Sequence, residues 1–155
     1  MVLVAFTAGE EGEWSVTSVA PVTGDPLPAA PQLAVREGPA AAAALGGTHQ
    51  SAAAWALAGV TSNLRYTTRD ELKQLVPVSE GLGRPAATRA ALIPIKKSAA
   101  WWALSQDERL SIISTSQHVA IGLKVLPAVS RRLHHCRDLG LGPGDEAPPF
   151  DFLTW

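Results

Sequence analysis

The stretch Ser105-Gln-Asp-Glu108-Arg-Leu-Ser-Ile-Ile-Ser-Thr-Ser-Gln-His118-Val-Ala-Ile-Gly-Leu-Lys-Val-Leu-Pro127-Ala-Val-Ser-Arg131-Arg-Leu-His-His-Cys-Arg137 carries two helical patterns and a strand pattern. Ser105 followed three residues later by Glu108 is a capping box: each side chain accepts the other residue's backbone N–H. It predicts a helix over Gln106–Ser114. A helical pattern resumes over His118–Val125, with Val119, Gly122, Leu123 and Leu126 on one side, and Pro127 ends it. Val129–Arg137 reads as a strand with Val129, Arg131, Leu133 and His135 on one face. Upstream, Ala90–Ile95 reads as an apolar strand whose Pro94 favours a sheet edge. Downstream, Gly140–Pro149 reads as a loop and Phe150–Trp155 as a last strand. Helices set on one side of an antiparallel sheet make an α+β pattern. A ferredoxin-like unit needs one more helix and one more strand after Trp155, so the C-terminal unit is expected to be incomplete.

The first half is rich in strand patterns. Val2–Thr7 and Trp14–Ala20 read as strands joined in a hairpin by Gly9–Gly12. Pro21–Pro31, with four prolines and one glycine, is a loop. Gln32–Arg36 reads as a short strand, and Glu37–Gln50, rich in alanine and glycine, as a mobile insertion. Ala52–Val60 and Leu64–Thr67 read as strands. Thr68-x-x-Glu71 is another capping box, opening a helix over Glu71–Val76 that Pro77 limits. Glu80–Pro85 is a glycine-bearing loop.

Composition excludes several classes. The chain has 155 residues, 46% of them hydrophobic, and a formal charge of −1. That balance gives no basic surface for nucleic acid or membrane. The apolar runs are too short to span a bilayer, and the N-terminus, followed at once by Glu10, Glu11 and Glu13, lacks a secretory pattern. Cys136 is the one cysteine, which suits a reducing, cytoplasmic setting.

The chemistry-bearing residues each admit two readings. His118 is a candidate axial ligand for haem iron, or a helix-end histidine facing carbonyls and solvent. Arg131, on an apolar strand face, either pairs with a carboxylate or receives an anion on its rigid fork of donors. Trp101 and Trp102 line a cofactor, or serve as core or interface; their indole N–H groups are handles for a carboxylate. Lys96, Lys97 and Tyr66 hold propionates, or are ordinary surface groups. His134-His135-Cys136 invites a metal reading, but alternation brings only His134 and Cys136 together, which does not close a zinc site. Phosphate-binding glycine loops, nucleophile elbows and nucleic-acid signatures are absent from the sequence.

Four stretches then matter together: Trp55–Arg69, Leu92–Trp102, Gly122–Gly140 and Phe150–Trp155. With Phe6-Thr-Ala-Gly-Glu and Trp14–Pro21, they resemble the chlorite dismutases, in particular the short-chain dimeric branch. The resemblance covers nearly the whole chain apart from the alanine- and glycine-rich insertion. It implies a dimeric α/β barrel of ferredoxin-like units: a shortened N-terminal half over residues 1–87, and a haem-binding half over residues 88–155 that is cut short. It implies haem b as cofactor, chlorite as the substrate anion and a homodimer as the assembly. His118 matches the proximal iron ligand and Arg131 the distal arginine. Tyr66, Lys97, Trp101 and Trp102 match residues around the haem and its propionates. The family reaction is ClO₂⁻ → Cl⁻ + O₂, with hypochlorite kept near the iron. In the family, the carboxylate that orients the proximal histidine lies beyond the position of Trp155, so a truncated chain is expected. Two other readings stand beside this one: a decarboxylase of iron coproporphyrin in the same superfamily, which Arg131 argues against, and a haem-binding or structural dimer without turnover.

Overall fold

The computed structural model describes residues 1–46, 53–61, 66–139 and 147–155. They form two compact units: Met1–Thr61 with His134–Ala147, and Ser62–Leu133 with Pro148–Trp155. Neither unit is a continuous segment. The architecture is α+β, as its strand and helix patterns predict, and every described strand pairing is antiparallel.

The first unit is built around β1 (Val2–Gly9), which pairs with β3 (Gln32–Glu37) on one side and β4 (Trp55–Thr61) on the other. Phe6 stands opposite both Val35 and Leu57. Val4, Ala5, Phe6 and Ala8 are buried, and they place the apolar core of this unit at its central strand.

The expected hairpin does not form. β2 is only Trp14–Ser15, and it pairs with β3 rather than β1, with Trp14 opposite Leu33. The Glu13 carboxylate explains this: it accepts the Val35 N–H at 2.8 Å and binds Arg36 at 2.7 Å. Burial alone raises the pKa of Glu13, but the Arg36 guanidinium and the Val35 N–H outweigh it and hold the carboxyl below its ordinary value. Gly12 completes the approach, because a Cβ there would lie 2.4 Å from the Leu33 carbonyl carbon.

The expected mobile insertion is also corrected over its described part. Pro39–Gly46 is a helix, α1, with proline at its first position, where no intrahelical N–H is needed. It packs on β1 and β3 with Ala41 fully buried. Small side chains let this helix come close to the strands. His49 and Gln50 lie outside the described residues.

β6 (Leu133–His135) meets β4 through His135 opposite Val60. His134 and Cys136 share a face, as alternation predicts, but as core groups: both are buried, and His134 meets Phe6 edge-on at 5.3 Å. Among the described residues no group of three or more His, Cys, Asp and Glu is placed to hold a metal. Gly59 makes this packing possible, since a Cβ there would stand 2.8 Å from the Cβ of His134. Gly59→Ala is therefore expected to destabilise the fold by about 1–3 kcal/mol through overpacking, read as a lowered denaturant midpoint.

In the second unit, α2 (Arg69–Leu75) and α4 (Gln106–Thr115) open on capping boxes with both reciprocal bonds present. β5 (Ile93–Ile95) pairs with β7 (Phe152–Thr154), with Pro94 opposite Leu153. α3 (Ala99–Ala103) is a five-residue helix that its sequence does not announce, capped by Ser98. α5 (His118–Val125) follows α4 after a sharp turn at Gln117, whose φ is +53°.

Two strand expectations are corrected here. Tyr66 has φ +60°, so Tyr66–Thr67 is not strand; Leu64 and Arg65 lie outside the described residues. The strand predicted over Val129–Arg137 is confined to β6, because the Val129 N–H still donates back to the Val125 carbonyl and Arg137–Leu139 coils into a 3-10 turn. Arg131 thus precedes the strand instead of standing in its middle. No described helix is long and apolar enough to cross a membrane.

Candidate functional site

All six residues singled out for the site lie in the second unit. α3 presents the tryptophans. Its start is fixed by the Ser98 hydroxyl, which accepts the Trp101 N–H at 3.2 Å, and by Asp151, whose buried carboxylate accepts the Lys97 N–H at 2.6 Å. Its end is fixed by Arg109 of α4. That guanidinium donates to the carbonyls of Trp101 at 3.1 Å, Trp102 at 2.8 Å and Leu104 at 2.6 Å. It also lies 5.1 Å from the centroid of the Trp102 ring. One cation thus binds three carbonyls at the C-terminal end of a short helix, where the Trp101 carbonyl also accepts the Leu104 N–H at 3.3 Å. Arg109→Ala is expected to cost about 2–3 kcal/mol, the worth of charge-assisted hydrogen bonds. The change is checked by denaturant unfolding and by loss of the near-ultraviolet tryptophan signal.

Around α3 the aromatic groups gather. Tyr66 meets Trp101 edge-on at 5.8 Å and Phe152 at 6.3 Å, and Trp102 stacks on Phe152 at 6.0 Å. The Lys97 ammonium lies 4.4 Å from the centroid of the Trp101 ring. Trp101 is buried, and its indole N–H has no hydrogen-bond acceptor among the described residues. A buried donor left unpaired costs free energy, so the Trp101 N–H is available to an added acceptor.

His118 is the first residue of α5 and is exposed. Partial burial lowers its pKa from the ordinary histidine value, and the positive charges of Arg131 and Lys97 lower it further. Both effects favour the neutral imidazole, the form that binds a metal. Ile121 and Val125 follow His118 at helical spacing on the same face of α5, and both are exposed. Arg131 is open to solvent on one side, yet protein crowds its guanidinium enough for lost hydration to lower its pKa. It remains a cation.

The structure therefore brings Tyr66, Lys97, Trp101 and Trp102 into one aromatic and cationic cluster, and it sets His118 within the field of Arg131 and Lys97. Lys96 is exposed. Sequence patterns do not announce the roles of Arg109 and Arg84, nor the contacts that Asp151 and Phe152 make from the last strand stretch. Glu108 caps α4, as its spacing from Ser105 predicts. The two described non-glycine residues with φ above zero, Tyr66 and Gln117, adjoin this site, and backbone strain of this kind gathers at functional sites.

These residues suit haem. A neutral exposed imidazole can ligate iron, the apolar face of Ile121 and Val125 can meet a flat macrocycle, and a buried indole N–H beside a lysine can receive a carboxylate.

No family model matches the chain. The chain is 34% identical to the chlorite dismutase of Ideonella dechloratans over 101 residues, 64% of this chain. It spans about a third, 32%, of that relative's length. A dimeric chlorite dismutase from Nitrobacter winogradskyi superposes with a TM-score of 0.80 at 48% identity, over 98% of this chain and 78% of that one. The chlorite dismutase of Candidatus Nitrospira defluvii, solved in complex with imidazole, shares the fold with a TM-score of 0.58 at 21% identity, over 99% of this chain and 74% of that one. With nearly half of its residues identical along almost its whole length to a solved member, and the ferredoxin-like α+β fold in common, the chain belongs to the chlorite dismutase family.

Proposed function

We propose that the protein is a haem b-dependent chlorite dismutase, an enzyme that converts chlorite to chloride and dioxygen, ClO₂⁻ → Cl⁻ + O₂. The observation that carries this reading is the neutral, accessible His118 set in the field of two cations, Arg131 and Lys97. The haem binds within residues 62–133 and 148–155, and the protein works as a cytoplasmic homodimer. The 48% identity to a dimeric family member supports the assembly.

Each side chain has a distinct task. His118 offers its ring nitrogen as the proximal ligand. The Trp101 N–H and the Lys97 ammonium receive haem propionates, and Tyr66 and Trp102 wall that end. Arg131 draws the chlorite anion in and holds the hypochlorite that forms when one oxygen atom leaves. Bound haem supplies a redox-active ferric iron able to accept that oxygen atom. Arg131 would hold the anions in the site, so that chlorite and hypochlorite stay within reach of the cofactor.

The test is direct. Purified protein is given haem, and oxygen release from chlorite is followed with an electrode while the Soret band is recorded. A Soret band with oxygen supports the enzyme. A Soret band without oxygen replaces it with a haem-binding dimer. Conversion of iron coproporphyrin to haem with peroxide replaces it with the decarboxylase.

A further inference from the structure

We propose that Arg84 is a positioning residue that holds the Arg131 guanidinium in place by clamping the turn between α5 and Arg131. This rests on the assignment of Arg131 as the anion-holding residue. The turn is poorly anchored by packing: Pro127, Ala128 and Val129 are all exposed, Val129 to 54%. It is anchored instead by polar bonds. One amino group of Arg84 donates to the Pro127 carbonyl at 2.5 Å and to the Glu80 carboxylate at 3.2 Å, while the other donates to the Ala128 carbonyl at 2.9 Å.

The clamp is built rather than incidental. The Arg84 side chain is only 20% exposed. The loop that carries it turns at Gly81 and Gly83, with φ of +77° and +81°, conformations that glycine adopts freely and that fold Glu80 back onto Arg84. Downstream, Arg132 exchanges both backbone bonds with Trp155, at 2.8 and 3.0 Å. Arg131 therefore stands between two anchors, and Arg84 is the anchor made by a side chain. A lysine there keeps the charge but lacks the planar fork that reaches two carbonyls at once.

The experiment is a double-mutant cycle on the haem-loaded protein, with fluoride binding to the ferric form read by absorbance. Arg84→Ala is expected to weaken fluoride about 5- to 10-fold when Arg131 is present, and by less than about 2-fold in the Arg131→Ala background. An equal loss in both backgrounds, or no loss in either, overturns the proposal. Arg84→Lys carries the same test if the alanine variant does not fold. Amide exchange at residues 128–132 of the haem-free protein is expected to rise about tenfold in Arg84→Lys; unchanged exchange overturns the clamp. That readout needs no haem, so a wild-type protein that fails to take up haem defeats the proposed function and leaves the clamp to be judged by exchange alone.

Discussion

His118→Ala is expected to leave the haem-free protein folded and to abolish haem retention, and oxygen release from chlorite with it. The fold survives because His118 is exposed at the first position of α5 and that helix starts without a side-chain cap. Surface substitutions of this kind cost little stability. Loss of a residue that merely orients a ligand lowers metal affinity about 10- to 100-fold, so loss of the ligand itself costs at least that much. The Soret band and the haem dissociation rate check this, with far-ultraviolet circular dichroism as the folding control. Added imidazole is expected to restore part of the band. A variant that holds haem as tightly as the parent removes His118 from the ligand role.

The same residue sets an acid limit. Its pKa in the folded chain lies below the ordinary value because of partial burial and the charges of Arg131 and Lys97. Below the unfolded value of about 6.5 the unfolded chain takes a proton that the folded chain refuses. Stability from this group is thus complete above that pH and is lost as the pH falls towards the lowered folded value. Haem affinity falls in the same direction, since a protonated imidazole cannot ligate.

Local signals in the sequence were legible and long-range ones were not. The boxes at Thr68 and Ser105 lie within four residues, and both form; α4 starts at the expected Gln106, while α2 starts at Arg69, two residues before the expected Glu71. α3 was invisible because five residues carry no period, and its geometry depends on Arg109 and Asp151 from elsewhere in the unit. α1 read as filler because its alanines show no polar face; its order comes from Ala41 packed against strands. The Trp14 strand was assigned to the wrong neighbour because the Glu13–Arg36 pair that decides it spans 23 positions. His118 and Arg131 stood out by residue type, and family resemblance gave them roles. Arg84 and Arg109 did not stand out, because their partners are backbone carbonyls, and any residue supplies those.

Arg131→Ala is expected to lower kcat/KM for chlorite by roughly 10- to 100-fold, the worth of one charge-assisted contact to an anion. The larger consequence concerns lifetime. Neutral alanine holds neither the incoming chlorite nor the hypochlorite that remains after the first oxygen transfer. Hypochlorite then diffuses away and oxidises the haem and nearby side chains, with the tryptophans at positions 101 and 102, in the aromatic cluster around α3, as oxidisable targets. Turnover should stop after fewer cycles, the Soret band should bleach during the reaction, and a chlorination trap in solution should react. Lysine at position 131 tests charge against geometry: it keeps the attraction but loses the fork, so substrate capture should recover more than enzyme lifetime does. Oxygen yield per haem, trap chlorination and Soret decay measured in one reaction separate these effects. An alanine variant with parental oxygen yield and no trapped hypochlorite would mean that the anion is held by other groups, with Lys97, the second cation in the field of His118, the next to replace.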